Sequence, residues 1–140
     1  MERVRATTGQ GRLILDAGAL IALARGDRRA RHFLELALDE RLFVEIPTPV
    51  LAQVHRGDRD HARTDRVLHE VDEFVPTTVE VARAAGELLG LAGLSDAVVV
   101  LVAGEALSRA PAAVLTSDPK DIATLLEAGG GQDSISVQAI

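Results

Sequence analysis

Three aspartates carry most of the chemistry that this sequence offers. Asp16 ends the apolar run RLILD, Asp96 opens the apolar stretch 97–104, and Asp118 follows the apolar run AAVLT over Ala112–Thr116. The first and last runs read as buried strands, and the middle one as a buried helix. Strands alternating with helices predict an α/β fold with a parallel sheet covered on both faces. Ligands of such sheets bind outside the carboxyl ends of the strands. Asp16 and Asp118 therefore share one sheet edge. The helix that begins at Asp96 must return antiparallel to the strands, so its first turn points at the same edge. Carboxylates brought within a few ångströms of one another raise each other's pKa unless something neutralises them. A hard divalent cation, Mg²⁺ or Mn²⁺, suits such an all-oxygen site. Each acid also has a plainer role open to it. Asp118, with Pro119 after it and Asp121 in the next turn, reads as a helix N-cap, and Asp16 and Asp96 also stand where they can cap.

The elements that must position these acids follow from periodicity and punctuation. Residues 12–16 form the first strand, followed by helices over 17–25 and 28–40, the second with Leu34, Ala37 and Leu38 at helical spacing. Residues 42–46 form a second strand. Thr48 is the expected N-cap, with Pro49 in the first turn, of a helix through Arg56. Asp58 caps a helix to about Glu70, and a short strand covers 74–76. Thr77-Thr78-Val79-Glu80 reads as a capping box opening a helix to about Leu91. Ser95 or Asp96 starts the helix that runs through Ser108, and Asp118-Pro119 starts a short helix to Leu126. Gly129-Gly130-Gly131 reads as a hinge before a closing strand over 134–140.

Composition removes several alternatives. The 140 residues correspond to one domain with room for a core, 47% hydrophobic and 26% charged, which excludes wholesale disorder. Cysteine is absent, so there is no disulfide framework, thiolate metal site or cysteine nucleophile. With no Trp or Tyr and three Phe, an aromatic platform for stacking bases is excluded. No phosphate-binding glycine loop, dinucleotide fingerprint or serine nucleophile elbow occurs. The net charge of -6 speaks against unaided binding to nucleic acid, but it is unevenly spread. Residues 1–70 hold 12 Arg/Lys and 11 Asp/Glu, whereas residues 71–140 hold 3 and 10. Arginines cluster at Arg25, Arg28, Arg29 and Arg31, and again at Arg56, Arg59, Arg63 and Arg66. They are candidate phosphate contacts, with the acids interspersed among them making a solvated face the plainer reading. The first residues have charge but no apolar core, so 1–11 are expected to be a flexible lead-in and 12–140 the domain. The longest uncharged apolar stretch is far short of a bilayer span, and a soluble, cytoplasmic protein with no membrane partner is expected.

LILDAGALIAL, PTPVLAQVHRG, LSDAVVVLVA and VLTSDPKDI, in that order and spacing, resemble the motifs of PIN-domain ribonucleases, most closely the VapC-type toxins of type II toxin–antitoxin systems. The resemblance covers about residues 12–126. It implies a three-layer α/β/α PIN-like domain with a central, mainly parallel sheet and an acidic pocket holding Mg²⁺ or Mn²⁺. It also implies endoribonuclease activity on structured RNA such as tRNA, a cognate antitoxin and a homodimer. By this resemblance Asp16, Asp96 and Asp118 are the catalytic and metal-binding acids. Thr116 and Ser117 supply the context of Asp118, and Asp121 is an outer acid. The family usually has glutamate where this chain has Gln53. An amide there removes one negative charge but can still hold a metal-bound water, so cation affinity should fall. The cleavage implied is hydrolytic, leaving a 5′-phosphate and a 3′-hydroxyl. A second reading is a catalytically silent PIN-like module that binds RNA or a protein partner.

Overall fold

The computed structural model describes residues 11–55, 62–93 and 96–140. Within them the order is β1 (Arg12–Leu15), α1 (Ala17–Ala24), α2 (Arg28–Asp39), β2 (Phe43–Pro47), α3 (Thr48–Val54), α4 (Ala62–Leu68), β3 (Glu73–Val75), α5 (Val79–Ala92), α6 (Ala97–Ser108), β4 (Ala112–Thr116), α7 (Pro119–Ala128) and β5 (Ile135–Ala139). The five strands form one sheet in the order β3-β2-β1-β4-β5, and every pairing is parallel.

That order has a reversal in it. The chain steps outward from β1 to β2 and β3, then crosses back to lay β4 on the other side of β1 and β5 beyond it. Right-handed crossovers in opposite directions place their helices on opposite faces of the sheet. The contacts agree: α2, α3 and α4 pack on α1, while α5, α6 and α7 pack on one another. The result is a three-layer α/β/α sandwich whose central strand is covered on both sides. Leu13, Ile14 and Leu15 of β1 are all buried, as are Val114 and Leu115 beside them, which is why these strands read as unbroken apolar runs rather than alternating ones.

The helices follow from their faces. Ala30, Leu34 and Ala37 bury one stripe of α2, and Val81, Ala85 and Leu88 one stripe of α5. Helix α6 buries six of the seven positions from Val100 to Ala106, and it lies so close to α5 that a Cβ added at Gly104 would meet the Val81 carbonyl oxygen at 3.3 Å. No helix among the described residues is long and apolar enough to cross a membrane by itself.

Local details depart from expectation at three helix ends. Pro47, not Thr48, occupies the N-cap of α3, and no side chain closes that cap; the fixed φ of Pro47 suits the position, so the helix begins one residue early. Thr78 rather than Thr77 caps α5, accepting from the Val81 N–H at 3.1 Å, so the reciprocal glutamate of a capping box is replaced by Val81. The triple glycine is a packed turn, not a hinge. Gly131 N–H donates to the Leu126 carbonyl at 2.8 Å, and Gly131 is buried against Leu107. The expected lead-in and the Asp58 and Ser95 caps lie outside the described residues, apart from Gly11 at the lead-in's end.

Candidate active site

The sheet order creates a switch point between β1 and β4, where crossovers leave in opposite directions and open a crevice at the carboxyl edge. Asp16 follows β1 there, and Thr116, Ser117 and Asp118 follow β4. The two strands run in register from Arg12 opposite Ala112 to Leu15 opposite Leu115, so the residues just past them face each other. Asp16 N–H donates to the Leu115 carbonyl at 3.3 Å and extends the ladder by one step.

The side chains complete this junction. Asp16 is buried and serves as N-cap of α1, its Oδ1 accepting from the Ala19 N–H at 2.8 Å. Its Oδ2 accepts a short hydrogen bond from the Thr116 hydroxyl. Thr116 is itself buried, and its Oγ1 accepts from the Asp118 N–H at 2.8 Å. One hydroxyl therefore fastens the first acid and sets the backbone of the other. Burial pushes the Asp16 carboxyl above its ordinary value; the bonds from Thr116 and Ala19 act against this, and the charge of Asp118 adds to the rise.

Asp118 does not cap α7: it holds the N-cap position, but its side chain makes no capping bond, and it is exposed. The carboxylate is close enough to Asp16 to act on it electrostatically. Close packing maintains the approach. A Cβ at Gly18 would lie 1.8 Å from the Ser117 hydroxyl oxygen and 2.6 Å from Ser117 Cβ, so the first turn of α1 accepts only glycine beneath this loop.

The other predicted residues are placed differently. Asp96 is exposed and caps α6, its Oδ1 accepting from Val98 and Val99 N–H at 3.0 and 3.3 Å; both bonds use the same oxygen. Among the described residues no three acidic or histidine side chains stand close enough to hold one ion together. The structure thus pairs Asp16 with Asp118 and shows Asp96 in its capping role. Gln53 is exposed on α3, and Asp121 is half-buried in the first turn of α7. Arg25, Arg28 and Arg29 are exposed, Arg25 as the C-cap of α1 and Arg29 with its guanidinium 5.9 Å from the Phe33 ring centre. Arg56 and Arg59 lie outside the described residues.

A second group of charges escaped the reading of the sequence. Glu45 in β2 and Glu105 in α6 are both buried. Among the described residues the Glu45 carboxylate has no hydrogen-bond partner, and its Oε2 lies 3.6 Å from Arg12, whose guanidinium sits 4.7 Å over the Phe43 ring. Glu105 pairs with Arg109 at 3.0 Å. Burial, with the Glu105 charge nearby, pushes the Glu45 carboxyl up to about 7 against the pull of Arg12 and Arg109. The signal was present as a lone acid inside each of two apolar runs, FVEIP and AVVVLVAGEALS.

No protein-family model and no curated protein matches the sequence. Among solved structures the chain is similar to VapBC2 from Rickettsia felis bound to a DNA fragment from its promoter. The TM-score is 0.66 at 18% identity, covering 89% of this chain and 97% of that one. It is also similar to FitAcB from Neisseria gonorrhoeae, with a TM-score of 0.64 at 16% identity, covering 90% and 96%. The fold is shared. The three-layer, PIN-like architecture expected from the four motifs is the one found, and the likeness extends over nearly the whole of each chain.

Proposed function

We propose that this protein is a metal-dependent endoribonuclease acting as the toxin of a toxin–antitoxin pair. The observation that carries the reading is the Asp16–Thr116–Asp118 junction at the β1/β4 switch point, where a buried carboxylate is held next to a second one that no cap engages. Hard oxygen donors and a neighbouring pair of negative charges fit Mg²⁺ or Mn²⁺. Asp16 and Asp118 would hold the ion, with Asp96 joining through Oδ2, the oxygen its capping bonds do not use. Gln53, Ser117 and Asp121 would act through water. When bound, the ion supplies charge neutralisation at the scissile phosphate and an acidified water. The chain's own contribution is orientation: Ala19 N–H and Thr116 fix both oxygens of Asp16, and Thr116 fixes the loop that carries Asp118.

Fold likeness to two toxin–antitoxin complexes supports a cognate antitoxin as partner. An acidic crevice is suited to blockage by an apolar helix that projects a basic side chain toward the acids. A homodimer belongs to the same reading.

The test is cleavage of total RNA supplemented with Mg²⁺ or Mn²⁺, comparing wild type with Asp16→Asn and Asp118→Asn. Both substitutions should lower the rate by more than about 100-fold, beyond the cost of losing a residue that merely supports a metal ligand. Equal degradation by all three proteins would mean a contaminating nuclease and a wrong site. Gln53 favours the alternative of a silent binding module. Calorimetry with Mn²⁺ separates the two, because a silent module binds the ion no better than its Asp16→Asn variant.

A further inference from the structure

Helix α1 carries Asp16 at its N-terminus, and at its other end lies a cavity of the opposite character. It has a volume of about 340 Å³ and is formed where the last turn of α1 meets α2 and α4. Buried Leu23 and Val67 make its floor, and Arg25, Arg31, Arg63 and Arg66 make its walls. Among the described residues no acidic side chain lines it. Four guanidinium groups around one concavity repel one another unless an anion is present.

Among the described residues, one of the four meets a carboxylate. Arg31 meets Glu70 at 2.6 Å, which fixes its side chain across the helices. Arg25, Arg63 and Arg66 have no carboxylate within ion-pair distance among the described residues. They come from two elements far apart in sequence, and the packing of α4 on α1 brings them together. Guanidinium is the side-chain group best matched to phosphate oxygens, through paired N–H donors in one plane.

We propose that this pocket is a phosphate-binding subsite that holds the backbone of the nucleic-acid strand at a distance from the acids. The proposal rests on the nuclease reading for the identity of the strand. The α1 helix has eight residues and is about 12 Å long. A strand reaching from the acids to the arginines would span that helix length, a few phosphates along its backbone. The arrangement explains how a chain of net charge -6 holds a polyanion. The attraction is concentrated at one pocket, separated by a helix length from the carboxylates that would repel it.

The experiment measures binding without cleavage. Anisotropy of a labelled single-stranded RNA oligonucleotide is followed in EDTA over a series of salt concentrations. Wild type is compared with the triple variant Arg25→Gln/Arg63→Gln/Arg66→Gln and with the matching triple lysine variant; Arg31 is left in place to keep its pair with Glu70. Each phosphate contact on a single strand contributes about 0.7 to the slope of log affinity against log salt, so the glutamine variant should lose about 2 from that slope. The lysine variant should keep most of it. Thermal melts check that all three proteins fold alike, as expected for exposed side chains. A glutamine variant that folds and keeps the wild-type slope overturns the proposal. So does an unchanged RNA slope with lost binding to poly-glutamate, which would give the pocket to an acidic protein. If the slope falls as expected but wild-type protein does not cleave RNA when Mn²⁺ is restored, the subsite stands and the nuclease reading fails.

Discussion

Thr116 is the residue on which the acidic site depends most. It donates to Asp16 and accepts from the Asp118 backbone, so a single buried hydroxyl has its donor and its acceptor committed to two different strand ends. Thr116→Val preserves shape but leaves Asp16 Oδ2 without its donor. The variant should lose about 1–3 kcal/mol in urea denaturation, and Thr116→Ser should recover most of it. Because the Thr116 bond holds the Asp16 carboxyl down, its loss should also raise the titration midpoint of Asp16 followed by NMR. Glu45 supplies the pH dependence. Its carboxyl lies at about 7 in the fold against an ordinary 4.5, facing Glu105, Arg12, Arg109 and Glu73. The folded state binds this proton more tightly than the unfolded chain. Its contribution is therefore full below pH 4.5 and is lost as pH rises through about 7. The upper bound on that loss is about 3 kcal/mol. Glu45→Gln should flatten the stability profile between pH 5 and pH 8 and exceed wild type at the upper end. Parallel profiles for the two proteins in chemical denaturation would refute this. Asp16 and Asp118 were legible in the sequence because each follows an apolar strand. Glu45 was not, because one acid among buried neighbours hardly alters the hydropathy of its run.

At the scale of elements, the site depends on how closely α1 can approach the loop after β4. Gly18 has a conformation open to any residue, so the constraint is space alone: an added Cβ would strike Ser117. Gly18→Ala should push the loop outward and separate Asp118 from Asp16. Overpacking of this kind costs about 1–3 kcal/mol, read as a lower midpoint in thermal or urea unfolding. The Asp16 carboxyl should also titrate lower, since the Asp118 charge that raises it moves away. Nearly every strand and helix was legible from apolar periodicity. Their ends were less so, because caps are decided by single residues. Thr77 and Thr78 offer the same hydroxyl, and only the backbone selects Thr78. Asp96 illustrates the same difficulty, since the bonds it makes to its own helix are those that a purely structural aspartate would make.

At the scale of the molecule, the site follows from strand order. A sheet ordered β3-β2-β1-β4-β5 must place two outgoing crossovers side by side, and the acids occupy the gap between them. The alternation of strands and helices made the parallel sheet legible, whereas the meeting of four arginines required the packing of α4 against α1. The order also has a consequence in time. Asp16 and Thr116 lie 100 residues apart, so the emerging chain carries the first acid long before its partner exists. Domains are made from the N-terminus, and long-range pairings form late. During synthesis β1 can pair with β2, but the crevice stays unformed until β4 has left the ribosome. On a nascent chain interrupted before that strand the acidic junction cannot assemble, because Thr116, which fastens both acids, has yet to be made.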